Sequence, residues 1–252
     1  DPNSIMNIHG IGPKIASKFK KIKIETIKDL AKIQNLKKIS QKTSFSEEQI
    51  QKIKLKARSV VENKTFQISE LILPSNNLIF FDIETDLKRE KVWLVGILDN
   101  GNFTQYFAKN WKQEKLMLEK LLSFLQTVPD STLVSFSGTG FDRNVINRAL
   151  ERLNLDSEFF MAIPHIDLCQ LIRQSIIFPN QSYALKNLGT YLRYPFKHAD
   201  MNGLEVALEY LNHLKRKRKL DERVFDYNAD DVNALPYIIK KIESDGYIIK
   251  RR

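Results

Sequence analysis

The run Leu78-Ile79-Phe80-Phe81-Asp82-Ile83-Glu84-Thr85 constrains this chain more than any other stretch. Its β-branched and aromatic residues predict a buried strand. Side chains alternate faces along a strand, so Asp82 and Glu84 project together while Ile83 turns into the core. The two side chains start about 6–7 Å apart, two residues of strand rise. Paired carboxylates beside a core are costly unless a cation neutralises them. Two readings fit: oxygen ligands for one or two divalent ions, or a pair of solvated acids at a strand end.

A metal-dependent phosphoryl-transfer site needs more than two acids. In Leu133-Val134-Ser135-Phe136-Ser137-Gly138-Thr139-Gly140-Phe141-Asp142-Arg143, an apolar strand runs into a Gly-rich turn. A helix is predicted from about Phe141 to Leu153, with Asp142 in its first turn. There a carboxylate suits the positive end of the dipole, so Asp142 is either a ligand or a simple cap. A further helix is predicted from about Asp221 to Ile242. Within it Tyr227 and Asp231 are four apart and share a face. A half-buried tyrosine beside a surface acid would give the same pattern.

The order of these pieces carries more than any one of them. A strand bearing DxE, a strand–turn–helix FD and a helical Y-x3-D together resemble the DEDD, or DnaQ-like, exonuclease superfamily over about residues 77–242. Asp82 and Glu84 match its first motif, Asp142 the second and Asp231 the third. Tyr227, four before Asp231, matches the tyrosine subclass. The histidine subclass would carry His five before that Asp, where this chain has Asp226. The spellings FDIET and SGTGFD are most similar to the exonuclease domains of family B DNA polymerases. Their turn usually reads NGxxFD, and Ser137 replaces the Asn. That departure touches a substrate or backbone hydrogen bond, not a metal ligand. The hairpin signal Asp99-Asn100-Gly101, His165-Ile166-Asp167-Leu168 and Ser182-Tyr183-Ala184-Leu185-Lys186-Asn187-Leu188 are further landmarks. They are similar to YprB-type, ribonuclease-H-like predicted nucleases.

The resemblance implies an α/β, ribonuclease-H-like mixed sheet flanked by helices. It implies Asp82, Glu84, Asp142 and Asp231 as ligands of two Mg²⁺ or Mn²⁺ ions, about 3.5–4 Å apart in such sites. Hard oxygen donors suit these ions better than zinc. Tyr227 would orient the attacking water, since a phenol with a pKa near about 10 is a poor base. The implied reaction is phosphodiester hydrolysis from a 3′ end, with DNA favoured over RNA. Three alternatives stay open: a catalytically silent nucleic-acid-binding scaffold, a structure-specific endonuclease, and an RNA exonuclease on the same fold.

The N-terminal part points to nucleic acid on separate grounds. Gly10-Ile11-Gly12-Pro13 is a tight turn feeding an amphipathic helix, whose first N–H groups are free to bind phosphate. Pro13 lies near the first helical position, where its missing donor is harmless. Lys14 and Lys18 follow one turn apart. The segment resembles a helix-hairpin-helix module, with Ile24–Ala31 as the next helix and a further one from about Ser46 to Glu62. A Gly-closed helical hairpin used for protein contacts would look alike. Residues 1–70 hold 15 Lys and Arg against 7 Asp and Glu, net +8 of the chain's +10. A basic module beside a near-neutral, acid-bearing one suits a phosphate grip attached to a cutter.

These observations predict two domains: 5–66, a helix-hairpin-helix nucleic-acid-binding module, and 72–252, the exonuclease domain. Ser69 to Asn77 reads as the linker. Strands are expected near 77–84, 92–98, 102–108 and 132–137, and the sequence leaves a fifth unlocated. The run Lys215-Arg216-Lys217-Arg218-Lys219 is either a backbone contact or a solvated helix end. His165 and Asp167 are expected at a helix start after Pro164, with Asp167 a cap or a supporting group. Phe141 is a wedge beside terminal bases or a core anchor, and Lys186 a phosphate contact or a surface lysine. A single cysteine, Cys169, excludes an internal disulfide and fits a reducing, cytoplasmic setting. No apolar stretch reaches membrane-spanning length. Protein partners in DNA repair or replication are compatible with such a chain. Asp1-Pro2-Asn3-Ser4 reads as a cloning remnant.

Overall fold

The computed structural model describes all 252 residues. They fall into two compact units, Asp1–Glu70 with Arg173–Tyr183, and Leu71–Ile172 with Ala184–Arg252.

The first unit is mainly helical: α1 (Pro13–Lys20), α2 (Ile27–Ala31), α3 (Leu36–Thr43) and α4 (Glu47–Glu62). Ile5, Ile8, Phe19, Leu30 and Ile50 form its core. Thr26 and Asp29 make a reciprocal capping box, which starts α2 three residues later than its apolar pattern suggests. Ser46 and Gln49 do the same for α4. Gly10 takes φ +87°, a conformation that favours glycine, and Lys56 of α4 donates its ammonium to the His9 carbonyl at 2.7 Å. Phe66–Gln67 pairs antiparallel with Ile176–Ile177. The segment 173–183 therefore folds with residues distant in sequence.

The second unit is built on a five-stranded mixed sheet. Its strands are β1 (Asn77–Thr85), β2 (Val92–Asp99), β3 (Asn102–Phe107), β4 (Ser131–Ser135) and β5 (His165–Asp167), in spatial order β3-β2-β1-β4-β5. β1, β2 and β3 are antiparallel neighbours, and β4 and β5 run parallel to β1. Ile79, Phe81 and Ile83 alternate into the core, which leaves Asp82 and Glu84 on the opposite face. The ladder between β1 and β2 is irregular at Glu84–Thr85. Trp93 of β2 stacks on Tyr210, with ring centroids 4.2 Å apart.

The helices of this unit are α5 (Glu114–Gln126), α6 (Phe141–Arg152), α7 (Ser157–Ala162), α8 (Leu168–Ser175, whose last three residues belong to the first unit), α9 (Leu185–Tyr191), α10 (Gly203–Arg216) and α11 (Arg223–Ser244). No helix is long and apolar enough to cross a membrane.

Two expectations change. His165–Asp167 is the fifth strand, not a helix start, because β4 offers it a parallel edge. The helix begins one residue later, and Asp167 caps it by accepting from the N–H groups of Cys169 and Gln170. The stretch expected as a linker contains Leu71–Leu73, which pairs in parallel with Ile249–Arg251 and buries Leu71 and Leu73 completely.

Candidate active site

A cavity of about 600 Å³ opens at the C-terminal end of β1. Three elements bring the expected acids to it: β1 with Asp82 and Glu84, the first turn of α6 with Asp142, and α11 with Tyr227 and Asp231. Asp86, just after β1, also lines it but accepts from the N–H groups of Glu90 and Lys91. Glu84, Asp142 and Asp231 are only 5–8% exposed. Asp82 is half-buried. Glu84 Oε1 and Asp231 Oδ1 are buried without a hydrogen-bond partner.

Burial pushes the Asp82 carboxyl well above its ordinary range, and Glu84, Asp231 and Asp142 add to the effect. Glu84 is raised in the same way, by burial and then by Asp231 and Asp142. Asp142 and Asp231 rise to about 7, again chiefly through burial. Four such groups cannot all carry charge without a compensating cation. The donor set is entirely hard oxygen, which fits Mg²⁺ or Mn²⁺. As positioned, no three acidic side chains are gathered into a ready-made ion site. The fit therefore rests on the orphaned oxygens and the unbalanced charge.

The positive field of Lys186 reaches both Glu84 and Asp231. It is not a free surface lysine: its ammonium donates to the carbonyls of His198, at 2.9 Å, and Met201. It also lies 4.2 Å from the centre of the Tyr227 ring. The Tyr227 phenol counters part of the rise in the Asp231 carboxyl, one turn along the same helix. Burial, followed by Asp231, Glu84 and Asp82, pushes the phenol far above its ordinary value, so it keeps its proton.

Ser135 of β4 counters part of the rise in the Asp142 carboxyl, and the Ser135 hydroxyl meets His165 Nε2 at 3.0 Å. Burial pulls His165 down to about 4, so this imidazole is neutral. The loop leading to Asp142 is organised by Asp167, which accepts from Ser137 Oγ, Gly138 N and Gly140 N. Burial alone would raise Asp167, yet these donors hold it below the usual carboxylate range. Ser137 also accepts from the Phe141 N–H at 2.9 Å. It thus ties the turn to the backbone at the place where the resemblance leads one to expect Asn.

Phe141 both lines the cavity and packs on the core, so neither simple reading of it is complete. The Arg89 guanidinium lies 5.3 Å from its ring centre. Gly10, Ile11, Gly12, Lys14 and Lys18 belong to the other unit. There Ile11 is buried, Lys14 and Lys18 are exposed, and Lys18 sits 4.6 Å over the Phe45 ring. The basic run closes α10 and runs past it; there Arg218 pairs with Glu209 and Lys219 with Glu222.

Sequence reasoning missed three residues. Asn228 is fully buried and donates Nδ2 to Asp82 Oδ2 at 2.9 Å and to the Asp82 carbonyl at 3.3 Å. Gln105 donates to Asn228 Oδ1 at 3.0 Å. Gly96, opposite Asp82 in the ladder, leaves the space Asn228 occupies: a Cβ there would lie 2.3 Å from Asn228 Oδ1. An uncharged amide gives no sequence signal of its own. A lone glycine within the apolar strand Val92–Leu98 does, since it marks a close approach.

Residues 79–243 match the family described as the RNase_H superfamily. The structure of the family B DNA polymerase from the hyperthermophilic archaeon Pyrobaculum calidifontis is similar, with a TM-score of 0.52 and 15% sequence identity. That match covers 68% of this chain and 25% of the polymerase chain, and at this identity it speaks for the fold. No curated protein matches the sequence significantly.

Proposed function

Because the chain belongs to the RNase H superfamily, we propose that it is a metal-dependent nuclease, a 3′–5′ exonuclease of the DEDD tyrosine subclass acting on single-stranded DNA or 3′ ends. The observation that carries this reading is the convergence of four acids on one cavity, with Glu84 Oε1 and Asp231 Oδ1 buried and unpartnered. A structural or scaffold role gives no reason to keep so unfavourable a cluster. In this reading Asp82, Glu84, Asp142 and Asp231 hold two Mg²⁺ or Mn²⁺ ions. Bound there, the ions supply activation of a water and charge stabilisation of the departing 3′ oxygen.

The rest is the work of the chain's own side chains. Tyr227 keeps its proton at Oη, so it acts as a hydrogen-bond donor that orients water rather than as a base. Lys186 partly offsets the acids' charge from beside Tyr227 and Asp231. Asp167 fixes the turn before Asp142, while Ser135, backed by His165, moderates the Asp142 carboxyl. Phe141, at the cavity wall, offers a face for a terminal base. The basic first unit, with Gly10-Ile11-Gly12, Lys14 and Lys18, grips the phosphate backbone as a helix-hairpin-helix module. The polymerase resemblance favours DNA over RNA, and such a substrate puts the protein where the cell keeps its DNA.

The test is an assay with 5′- and 3′-labelled single strands, duplexes and flaps, of DNA and of RNA, in Mg²⁺ or Mn²⁺. Stepwise shortening of single-stranded DNA from the 3′ end supports the reading. Internal cuts at junctions would make it an endonuclease. Binding with no cleavage in any substrate would make it a silent binder.

A further inference from the structure

Asp82, Gly96 and Gln105 are direct cross-strand neighbours on three adjacent strands, β1, β2 and β3. Adjacent strands lie about 4.8 Å apart, so Asp82 and Gln105 face each other across roughly twice that distance. The middle position carries no side chain, and Asn228 of α11 fills the gap. It reaches Gln105 with Oδ1 and Asp82 with Nδ2.

The direction of every bond in this chain is determined. It starts at a backbone carbonyl, Phe225 O, which can only accept; Gln105 Nε2 donates to it at 2.9 Å. The same nitrogen donates its second hydrogen to Asn228 Oδ1. Asn228 must then present Nδ2 to Asp82, and both of its hydrogens are used, on Oδ2 and on the main-chain carbonyl. Turning the Asn228 amide over would set donor against donor at Gln105 and acceptor against acceptor at Asp82, and turning Gln105 over would set its oxygen against two acceptors, Phe225 O and Asn228 Oδ1.

We propose that Asn228 is a positioning residue that pins the Asp82 carboxylate in the orientation in which it binds a divalent ion, with Gln105 setting the sense of the Asn228 amide and Gly96 providing its space. This rests on the reading of Asp82 as a metal ligand. Groups that orient ligands through a hydrogen bond typically change metal affinity about 10- to 100-fold when altered. Gln105 hydrogen-bonds to Phe225 O and Asn228 Oδ1 and does not line the cavity. A new negative charge at 105 would by itself attract a cation, so weaker metal binding in Gln105→Glu points to the turned Asn228 amide.

The experiment is calorimetric titration of Mn²⁺ into the full chain and its variants, with melting curves in chelator to establish folding. Asn228→Ala and Gln105→Glu should each weaken Mn²⁺ binding about 10- to 100-fold, and Gly96→Ala should reproduce the loss while leaving Asn228 chemically intact. Excess Mn²⁺ should restore the cleavage rate of Asn228→Ala but not that of Asp82→Ala, which lacks the ligand itself. A merely structural role would lower the melting temperature without this metal dependence. If folded Asn228→Ala and Gln105→Glu bind Mn²⁺ within about twofold of the native protein, the proposal is wrong even though the metal site stands. If the native protein binds no Mn²⁺, both this proposal and the nuclease reading fall.

Discussion

Tyr227 and Asp231 stand one turn apart on α11 and line the same cavity, where Asp231 Oδ1 is buried without a hydrogen-bond partner. The phenol sets a neutral donor beside a carboxyl that would otherwise bear its charge with little support, and it counters part of the rise in Asp231. Replacing Tyr227 with Phe keeps the ring over Lys186 and removes only the donor. Single-turnover cleavage should slow about 10- to 100-fold, at or below the low end of an acid–base contribution. Mn²⁺ affinity should change little. An unchanged rate would assign the tyrosine to packing.

The acid cluster also makes a prediction about stability and pH. Asp142 and Asp231 titrate at about 7 in the folded protein, against about 3.9 in an unfolded chain. Between these values the folded state binds more protons, so stability falls as pH rises. The stabilising contribution of the neutral acids is complete below about pH 4 and is lost as pH passes about 7. Asp82 and Glu84 shift in the same direction. In chelator the melting temperature should therefore drop between about pH 5 and about pH 8, and excess Mn²⁺ should reverse the drop. A melting temperature that is flat or rising over that range contradicts the arrangement.

Asp167 should behave as the keystone of the turn that delivers Asp142. Asp167→Ala leaves the N–H groups of Gly138 and Gly140 and the Ser137 hydroxyl without their acceptor. The expected cost is about 1–3 kcal/mol in denaturant unfolding, with less for Asp167→Asn, which keeps one acceptor. Hydrogen exchange should accelerate at residues 137–141 first. Uniform loosening of the whole sheet would point to a different role.

How much of this was legible in the sequence follows from how local each feature is. β1 and the shared face of Asp82 and Glu84 needed only an alternation of period two. The helices bearing Asp142 and Asp231 announced themselves through apolar spacing. β5 did not, because three residues, His165–Asp167, become a strand only by pairing with β4 some thirty residues earlier. Leu71–Leu73 likewise depends on Ile249–Arg251, far along the chain. The grouping of Arg173–Tyr183 with the first unit rests on the pairing of Phe66–Gln67 with Ile176–Ile177 and on contacts such as His9 with Tyr183. Such pairings leave no periodic trace. Within the site the acids were readable by motif, whereas Asn228 and Gln105 carry no charge to betray them.

That grouping changes how the basic unit should be tested. Removing residues 1–70 would strip Ile176 and Ile177 of their strand partners, so a deletion would confound folding with binding. Charge reversal avoids this. Lys14→Glu combined with Lys18→Glu alters two exposed residues and leaves the cavity alone. DNA affinity should fall, and the slope of log K against log salt should flatten by roughly 2, about 0.9 for each lost contact to duplex phosphate. Unchanged affinity and slope would assign this surface to another purpose.

If the four acids hold the ions that cut the substrate, removing a single one stops cleavage. The decisive measurement takes Asp82→Ala and Asp231→Ala, each shown to be folded, with 5′-labelled single-stranded DNA in Mg²⁺ or Mn²⁺. The native protein should shorten the strand stepwise from its 3′ end and stop when the metal is chelated, and both variants should lose nearly all hydrolysis. Native-like cleavage by either variant, or cleavage by the native protein in chelator, would contradict the account.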